Sequence, residues 1–309
     1  MSASQFSSGD VIADRRADYA RMLAEAGDFA AAAELVEQAL ELVPGWAAGW
    51  FRLGEYREKA TLATAADAYR QALDLQPDDI FGARLKLALL GAEEMPAQPP
   101  SRYVEGLFDD YADRFDTALV ERLEYSVPGK LAALVAPHAP FRNTVDLGCG
   151  TGLFGAEIRG GTERLEGFDL SGNMLAKAEA KGLYDHLGQS DLSLSPEMSG
   201  LFSGVLARQR ADLVSAADVL MYLGSLETVF PLVLELLAPA GLFGFSVEDA
   251  GEERSFVLRD SLRYAHSETY IRSLLHRYGF EILALQKTPI RTDAGRPIQG
   301  ILFLSRKLA

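Results

Sequence analysis

The segment that most constrains the fold is residues 144–152 (TVDLGCGTG). A short apolar strand pattern ends near an acid, Asp146, and three alternating glycines follow it. Glycine adopts positive φ readily and lets a ligand approach the backbone closely. In open α/β sheets, ligands bind at the carboxyl ends of the strands, where loops of this kind lie. The segment therefore predicts a doubly wound α/β domain with a binding site beside Asp146.

The chain after residue 101 has the strand and helix alternation that such a fold requires. Short apolar runs are separated by helix patterns such as SGNMLAKAEAKG and SLETVFPLVLELLAP, which predicts a doubly wound, mostly parallel sheet. The last two runs follow one another without a helix, so they are predicted to pair antiparallel. The runs are residues 144–148, 163–170, 211–220, 241–248, 280–286 and 299–307.

The first hundred residues lack strand patterning and carry a repeat. Pro44 and Pro77 lie 33 residues apart, and each closes an alanine-rich helix pattern (AAAELVEQALELVP and TAADAYRQALDLQP). With Trp50, Leu53 and Gly54 ahead of the second copy, the pattern resembles the tetratricopeptide repeat. Residues 78–91 predict a further helix that caps the stack, and an ordinary helical bundle is the alternative interpretation.

These patterns divide the chain into four parts. Residues 1–14 are predicted to be a flexible N-terminus, and residues 15–92 an all-α, tetratricopeptide-like domain. Residues 93–101 form a linker, because the three prolines of EEMPAQPP favour an extended spacer. Residues 102–309 form the α/β domain.

Composition narrows the classes of partner and compartment. The net charge of −14 disfavours a broad nucleic-acid footprint and an anionic membrane surface, because both need clustered Lys and Arg. One cysteine and four scattered histidines give no internal disulfide and no zinc-ligand spacing, so no metal is predicted. No apolar run is long enough to span a bilayer, and the N-terminus lacks the apolar core of a secretory signal. These observations predict a cytoplasmic protein.

The glycine loop alone leaves two ligands open. Gly150-x-Gly152-x-x-Gly155 matches the dinucleotide pattern, which predicts a nicotinamide-dependent oxidoreductase. However, Asp146 stands at the loop entrance and the loop carries no Lys or Arg, which disfavours a pyrophosphate. The loop resembles the first motif of class I S-adenosylmethionine-dependent methyltransferases, whose cofactor carries a sulfonium and an ammonium instead of phosphate.

Later segments match that family in order. GFDLS at residues 167–171 resembles the end of its second strand, where an acid holds the ribose hydroxyls, and Asp169 lies at the matching spacing. QSDL at residues 189–192 resembles the end of its third strand, where an acid accepts from the adenine amino group and the next residue packs on the ring. Cys149 is interpreted as a small side chain in a tight turn, not as a nucleophile. The resemblance implies that the cofactor-binding residues are Asp146, Gly148, Cys149, Gly150, Asp169, Leu170, Asp191 and Leu192.

A narrower resemblance points to the acceptor side. Residues 103–116, 123–128, 218–224 and 263–267 are similar to segments of predicted methyltransferases that carry tetratricopeptide repeats. In the resembling enzymes the first of these segments forms a lid over the methionine end of the cofactor. Candidate catalytic residues on the substrate side are therefore Tyr111, Asp218, Tyr222 and His266, with His266 a candidate general base.

The resemblance implies a mostly parallel, seven-stranded sheet and methyl transfer by direct in-line displacement. A small-molecule acceptor is favoured over a protein acceptor, and the repeats are expected to bind a peptide or protein or to form a homodimer contact. The alternative is a repeat-mediated binding module whose methyltransferase fold is inactive or only senses the cofactor.

Overall fold

The computed structural model describes residues 6–113, 115, 125–252, 255–293 and 295–308. The chain divides into two compact units, Met1–Gly106 and Leu107–Ala309, so the division falls a few residues after the predicted linker. Arg114, Asp116, Leu123 and Glu124, which contribute to the narrower family resemblance, lie outside the described residues.

The first unit consists of helices that match the predicted repeat. The second and fourth helices end two residues before Pro44 and Pro77, because the residue before a proline is pushed out of the helical region. The helices are α1 (Val11–Glu25), α2 (Phe29–Leu42), α3 (Ala47–Lys59), α4 (Ala65–Leu75), α5 (Ala83–Leu89) and α6 (Ser101–Tyr111), the last of which crosses the division between the units.

Equivalent positions of the two repeat copies are buried alike. The pairs Val36 and Tyr69, and Ala39 and Ala72, all lie in the core. A Cβ on Gly54 would lie 2.6 Å from the ring of Tyr69, so the repeat glycine allows α3 and α4 to pack closely. The small residues of the pattern therefore serve helix packing, as the sequence predicts.

The N-terminal boundary differs from the sequence prediction. Residues 1–14 are predicted to be flexible, whereas α1 begins at Val11. The side chain of Asp10 accepts hydrogen bonds from the N–H groups of Ile12 (2.8 Å) and Ala13 (2.9 Å), which are otherwise unsatisfied at a helix start. A helix cap, rather than the repeat pattern, fixes this boundary.

The second unit is built on one sheet in the described part of the chain. Seven strands form its main body in the order β3-β2-β1-β4-β5-β9-β8, and a short hairpin, β7-β6, joins the carboxyl end of β5. The strands are β1 (Phe141–Leu147), β2 (Thr162–Asp169), β3 (His186–Gln189), β4 (Ala211–Ala216), β5 (Leu237–Asp249), β6 (Phe256–Leu258), β7 (Tyr264–His266), β8 (Phe280–Asp293) and β9 (Arg296–Lys307).

The strand directions confirm the predicted fold class. Strands β1 to β5 are parallel where they pair, whereas β9 pairs antiparallel with both β5 and β8. The predicted antiparallel pairing of the last two strands is therefore confirmed. The helices between the strands are α7 (Val127–Val135), α8 (Leu153–Ile158), α9 (Gly172–Lys181), α10 (Val229–Leu236) and α11 (Glu268–Arg277).

Apolar side chains bury both faces of this sheet. One cluster joins Phe230 of α10 to Phe243 and Phe245 of β5, and a second joins Leu131 of α7 to Leu304 of β9. Burial on both faces leaves the carboxyl ends of the parallel strands as the place where polar side chains gather. Among the described residues, no helix combines the length and the apolar composition that crossing a membrane requires.

Candidate active site

The glycine loop follows β1 and is tied to the end of β2. Gly148 and Gly150 have φ of +64° and +54°, which side chains rarely adopt. A Cβ on Gly148 would also lie 2.3 Å from Val219, so the loop packs closely against the segment after β4. The N–H of Cys149 donates to the carbonyl of Phe168 at 3.0 Å, which holds the loop against β2.

Asp146 lies beneath this loop and is buried. Its carboxylate accepts hydrogen bonds from the hydroxyls of Tyr184 (2.8 Å) and Ser215 (2.7 Å). Burial raises the pKa of Asp146 to about 7, and the two hydroxyls oppose that shift. Because both oxygens are engaged, Asp146 supports the loop from below.

Asp169 ends β2 and receives backbone N–H groups. Its two oxygens accept from the N–H groups of Gly150 and Ser171, each at 2.8 Å. Burial raises the pKa of Asp169 to about 6, and these hydrogen bonds oppose the shift. The side chain is half-buried, and each carboxylate oxygen has a second lone pair with which to accept from a ligand.

The end of β3 contributes a turn beside Asp169. Asp191 accepts from the N–H (2.8 Å) and the hydroxyl (2.6 Å) of Ser193, so one carboxylate oxygen closes the turn. Leu192 is buried in the core cluster that includes Phe168, and the carbonyl of Leu170 accepts from the side chain of Gln189. Ser190 is buried beside them, and its hydroxyl has no hydrogen-bond partner among the described residues.

Cys149 does not provide a nucleophile in this arrangement. The thiol is buried, and burial raises its pKa well above its ordinary value, with Asp169 and Asp146 adding to the shift. The side chain is small enough for the tight turn between Gly148 and Gly150.

A buried ion cluster lies at the ends of β4, β5 and β8. Asp218 accepts from Nη1 of Arg291 through both oxygens (3.1 and 3.0 Å), and Nη2 of Arg291 donates to Glu248. Burial raises the pKa of Asp218, although Arg291 opposes the shift. Burial lowers the pKa of Arg291, but the two carboxylates outweigh it and the net shift is upward. Asp218 also has a positive φ of +60°.

His266 lies at the end of β7, entirely buried. Its Nε2 is 2.8 Å from the carbonyl oxygen of Gly224, so Nε2 carries the proton and Nδ1 does not. Burial lowers the pKa of His266 to about 4, against the hydrogen bonds to the carbonyls of Gly224 and Leu223. The imidazole is therefore neutral at pH 7 and is a weak base.

Four aromatic residues link the glycine loop to the segment after β4: Phe108, Tyr111, Phe115 and Tyr222, called here the aromatic cap. The ring of Phe108 packs edge-on against Tyr222 (4.8 Å between centroids), and Tyr111 packs edge-on against Phe115 (5.7 Å). Phe115 would lie 3.8 Å from a Cβ on Gly150. Burial raises the pKa of Tyr222, although Arg263 and Arg291 oppose the shift.

The structure thus groups the predicted residues in two sets. Those after β1, β2 and β3 surround the glycine loop, whereas Asp218, Tyr222 and His266 lie after β4 and on β7. Sequence reasoning missed Phe108, Phe115, Tyr184, Ser190 and Arg291. The helical spacing of Phe108 and Phe115 around Tyr111 was a usable signal, but Tyr184 and Arg291 carry no local pattern.

Comparison with known proteins identifies the class that this fold and site define. A family model described as a methyltransferase domain matches residues 119–285, which is more than half of the chain. The chain therefore belongs to the methyltransferase-domain family. A second model, described as a tetratricopeptide repeat, matches residues 13–56 and confirms the predicted repeat.

Two curated relatives match parts of the chain. Methyltransferase-like protein 27 of Homo sapiens is 39% identical over 90 residues, which cover 28% of this chain and 34% of that protein. Trans-aconitate 2-methyltransferase of Delftia acidovorans is 30% identical over 140 residues, which cover 44% of this chain and 49% of that protein. The chain therefore spans half or less of the length of each relative.

A solved structure shares the fold of the second unit. The 1,6-didemethyltoxoflavin-N1-methyltransferase of Burkholderia thailandensis is 18% identical, with a TM-score of 0.53, and the match covers 70% of this chain and 94% of that one. That protein was crystallised with 1,6-didemethyltoxoflavin and S-adenosylhomocysteine. The likeness confirms the predicted class I methyltransferase fold.

Proposed function

We propose that the chain is an S-adenosylmethionine-dependent methyltransferase that acts on a small-molecule acceptor. The observation that carries this proposal is the charge at the glycine loop. Asp146 and Asp169 both face the loop region, and neither forms an ion pair within the part of the chain that the structure describes. Two carboxylates without a counter-cation suit a ligand that brings its own positive charge.

The residues present fit S-adenosylmethionine. Asp169 can accept from two ribose hydroxyls, and the buried Ser190 hydroxyl beside it still needs a partner. The structure adds one cation near the loop, since Nζ of Lys181 lies 3.4 Å from the hydroxyl of Thr151. One lysine against two carboxylates still makes a pyrophosphate the poorer ligand, which disfavours the nicotinamide alternative.

The bound cofactor would supply a methyl group on a sulfonium that is already activated. Asp169 would bind the ribose, Asp146 would place negative charge beneath the loop, and Asp191 with Leu192 would lie at the adenine end. The aromatic cap would exclude water from the reacting atoms. Orientation of an acceptor behind the methyl group, for in-line displacement, is worth about 7–11 kcal/mol in well-aligned systems.

On the acceptor side we assign two kinds of role. Tyr111 and Tyr222, as members of the aromatic cap, are proposed to contact the acceptor. Asp218, held by Arg291, and His266, bonded to the carbonyl of Gly224, are proposed to position the segment that carries Tyr222. A neutral, buried imidazole with a pKa of about 4 fits positioning better than the predicted role of general base.

The small-molecule acceptor is supported by the relatives. One relative is named for methylating trans-aconitate and one structural neighbour for methylating didemethyltoxoflavin, both small molecules. An acceptor screen should therefore begin with small carboxylic acids, including trans-aconitate, and with small heterocycles, followed by proteins. Formation of S-adenosylhomocysteine, detected by mass spectrometry, would identify the acceptor.

The cofactor site is tested by calorimetric titration with S-adenosylmethionine and S-adenosylhomocysteine. We expect micromolar binding by the wild type and a loss of about 10- to 100-fold in Asp169→Asn, because hydrogen bonds to a charged group contribute about 1.5–3 kcal/mol. The matched control is Asp212→Asn, an acid at the opposite end of the sheet that pairs with Arg142 (3.0 Å) and should leave binding unchanged.

Three outcomes would contradict the proposal. A folded wild type that binds neither compound would favour the inactive-fold alternative. Equal affinity in Asp169→Asn would remove Asp169 from the site. Tight binding of NAD in a parallel titration would support the nicotinamide interpretation instead.

A second function is favoured by a cavity in the helical unit. A pocket of about 500 Å³ lies at the ends of α2 and α4, with Trp46, Ile80 and Phe81 in its apolar lining. Arg102 also lines it and pairs with Glu105 at 3.0 Å. We propose that it binds a peptide with an apolar side chain next to an acid. The test is a peptide-array screen with Trp46→Ala as the variant, and unchanged binding in that variant would reject the pocket.

A further inference from the structure

Tyr184 packs against the end of the glycine loop, the helix α8 that follows the loop, and strand β2. It lies between α9 and β3, far from the loop in sequence, and its ring packs where three glycines lack a side chain. A Cβ would lie 3.0 Å from the ring at Gly152, 2.3 Å from the hydroxyl oxygen at Gly155, and 2.8 Å from the ring at Gly167. At distances below 3.0 Å a neighbouring atom must shift, so a side chain at Gly155 would displace Tyr184. A side chain at Gly167 would displace both Tyr184 and Leu187.

The hydroxyl of the same residue reaches the acid beneath the loop. It donates to Oδ2 of Asp146 at 2.8 Å, while Ser215 donates to Oδ1 from the neighbouring strand β4. Burial raises the pKa of the Tyr184 hydroxyl, and Asp146 adds to the shift, so this hydroxyl remains a donor throughout the neutral range.

We propose that Tyr184 is the positioning residue of the cofactor loop: its ring sets the path of residues 152–155, and its hydroxyl holds the Asp146 carboxylate in place for the cofactor. Only the statement that Asp146 is held in place for the cofactor rests on the proposed function. It also accounts for the glycine pattern, because Gly155 accommodates a tyrosine of this chain and carries no information about a dinucleotide.

A positioning role differs from simple packing in what removal of the hydroxyl changes. Tyr184→Phe keeps the ring that fills the glycine surface and removes one hydrogen bond to Asp146. If the ring alone mattered, the loop and the titration of Asp146 would stay as they are. If the hydroxyl positions Asp146, both would change while the fold is retained.

The titratable groups around Asp146 define what else acts on it. Tyr184 donates from the segment before β3, and Asp169 on β2 raises the pKa of Asp146 by like charge. Cys149 in the loop and Tyr125 before α7 are neutral and interact with its charge. Of these groups, only Tyr184 donates a hydrogen bond to Asp146, so its removal should raise the pKa of Asp146.

The first measurement needs no cofactor. Hydrogen exchange of the loop amides, which include the bonded N–H groups of Cys149, Gly150 and Gly152, is compared in the wild type, Tyr184→Phe and Tyr278→Phe. Tyr278→Phe is the control, because its hydroxyl also contacts a carboxylate, that of Glu227, away from the loop. We expect exchange at least about threefold faster in the loop for Tyr184→Phe alone.

The second measurement follows the affinity for S-adenosylhomocysteine against pH in the same three proteins. Ionised Asp146 attracts the ligand amine, so wild-type affinity should rise with pH through about 7. In Tyr184→Phe the midpoint should move up by about one pH unit. A uniform loss at all pH values with an unmoved midpoint would reduce Tyr184 to packing and overturn the proposal.

The two measurements fail separately. A wild type that binds no ligand rejects the proposed function, and loop exchange still decides the role of Tyr184. Unchanged loop exchange in Tyr184→Phe overturns the positioning role, whatever the ligand titration shows. A double-mutant cycle tests the contact between the Tyr184 side chain and Gly155. Gly155→Ala should destabilise the wild type and have little effect in Tyr184→Ala. Additive effects of the two substitutions on the free energy of unfolding would contradict this contact.

Discussion

The two halves of the site, which we propose bind the cofactor and the acceptor and call the cofactor side and the acceptor side, hold their carboxylates in different ways. At the cofactor side, Asp146 and Asp169 are stabilised by hydroxyls and backbone N–H groups. At the acceptor side, Asp218 and Glu248 share the guanidinium of Arg291. Neutral donors keep a carboxylate in place without cancelling its charge, whereas an arginine cancels it.

This difference separates binding from support. The charges of Asp146 and Asp169 are not cancelled by an arginine and are available to a cationic ligand. Burial makes these charges unfavourable, and it therefore raises the pKa values of the two acids to about 7 and 6. The cancelled charge at Asp218 and Glu248 makes a rigid polar frame for the segment that carries Tyr222. The comparison predicts that acceptor-side variants lose stability and that cofactor-side variants lose affinity.

The largest expected effect comes from breaking the acceptor-side ion cluster. Arg291→Met removes the cation nearest to Asp218 and Glu248 and leaves the more distant Arg263, 3.6 Å from Glu248, beside these buried acids. The free energy of unfolding should fall by about 3–5 kcal/mol. Urea unfolding at pH 7 measures this loss. Arg291→Lys, which keeps the charge but not both contacts, should lose less, and a loss below about 1 kcal/mol in Arg291→Met would contradict the frame.

Sequence reasoning named more of the residues around the glycine loop than of the residues in the buried ion cluster, for a physical reason. Asp146 and Asp169 follow apolar strands directly, so strand pattern and glycine spacing mark them. Arg291 lies 73 residues after its partner Asp218, and only the folded domain brings Arg291 of β8 to the segment after β4. Tyr184 likewise depends on glycines from two other elements. Contacts made across the sheet leave no local periodicity to read.

The fold shows the same division. Alternating strands and the proline-ended helices predicted the sheet and the repeat. The hairpin β6-β7 was missed, because strands of three residues are too short for an alternating pattern. His266 lies on that hairpin, so its burial was also beyond reach of the sequence.

The next effect in size sharpens the comparison through pH. The lowered pKa of His266, about 4 against an ordinary value of about 6.5, stabilises the folded protein above pH 6.5, and this stability is lost as pH falls towards 4. The raised pKa values of Asp146 and Asp169 act in the opposite direction, because folding then favours protonation. As the pH falls, the contribution of His266 to the free energy of unfolding should therefore decrease, whereas the contributions of Asp146 and Asp169 should increase.

His266→Gln isolates the acceptor-side contribution. Between pH 7.5 and pH 5, the wild type should lose roughly 2 kcal/mol more than the variant, since one pKa unit corresponds to about 1.4 kcal/mol. Urea unfolding of both proteins at the two pH values measures the difference. Parallel pH profiles would show that His266 is not held neutral by burial.

The smallest expected effect concerns the tether between the aromatic cap and the cofactor side. Asp109 on α6 accepts from the hydroxyl of Ser171 (2.5 Å) and from the N–H of Asn173 (3.3 Å) at the start of α9, where a negative charge is favoured by the helix dipole.

Asp109→Asn should lower the free energy of unfolding by only about 0.5–1 kcal/mol, because the side chain is partly exposed. Hydrogen exchange of the amides of residues 107–111 should nevertheless become faster, because the tether holds in place this turn of α6, which carries Phe108. Asp74→Asn, an exposed acid on α4, is the matched control. If hydrogen exchange of these amides is unchanged in Asp109→Asn, the aromatic cap is held by its ring contacts alone. The cofactor side then extends no further than the glycine loop.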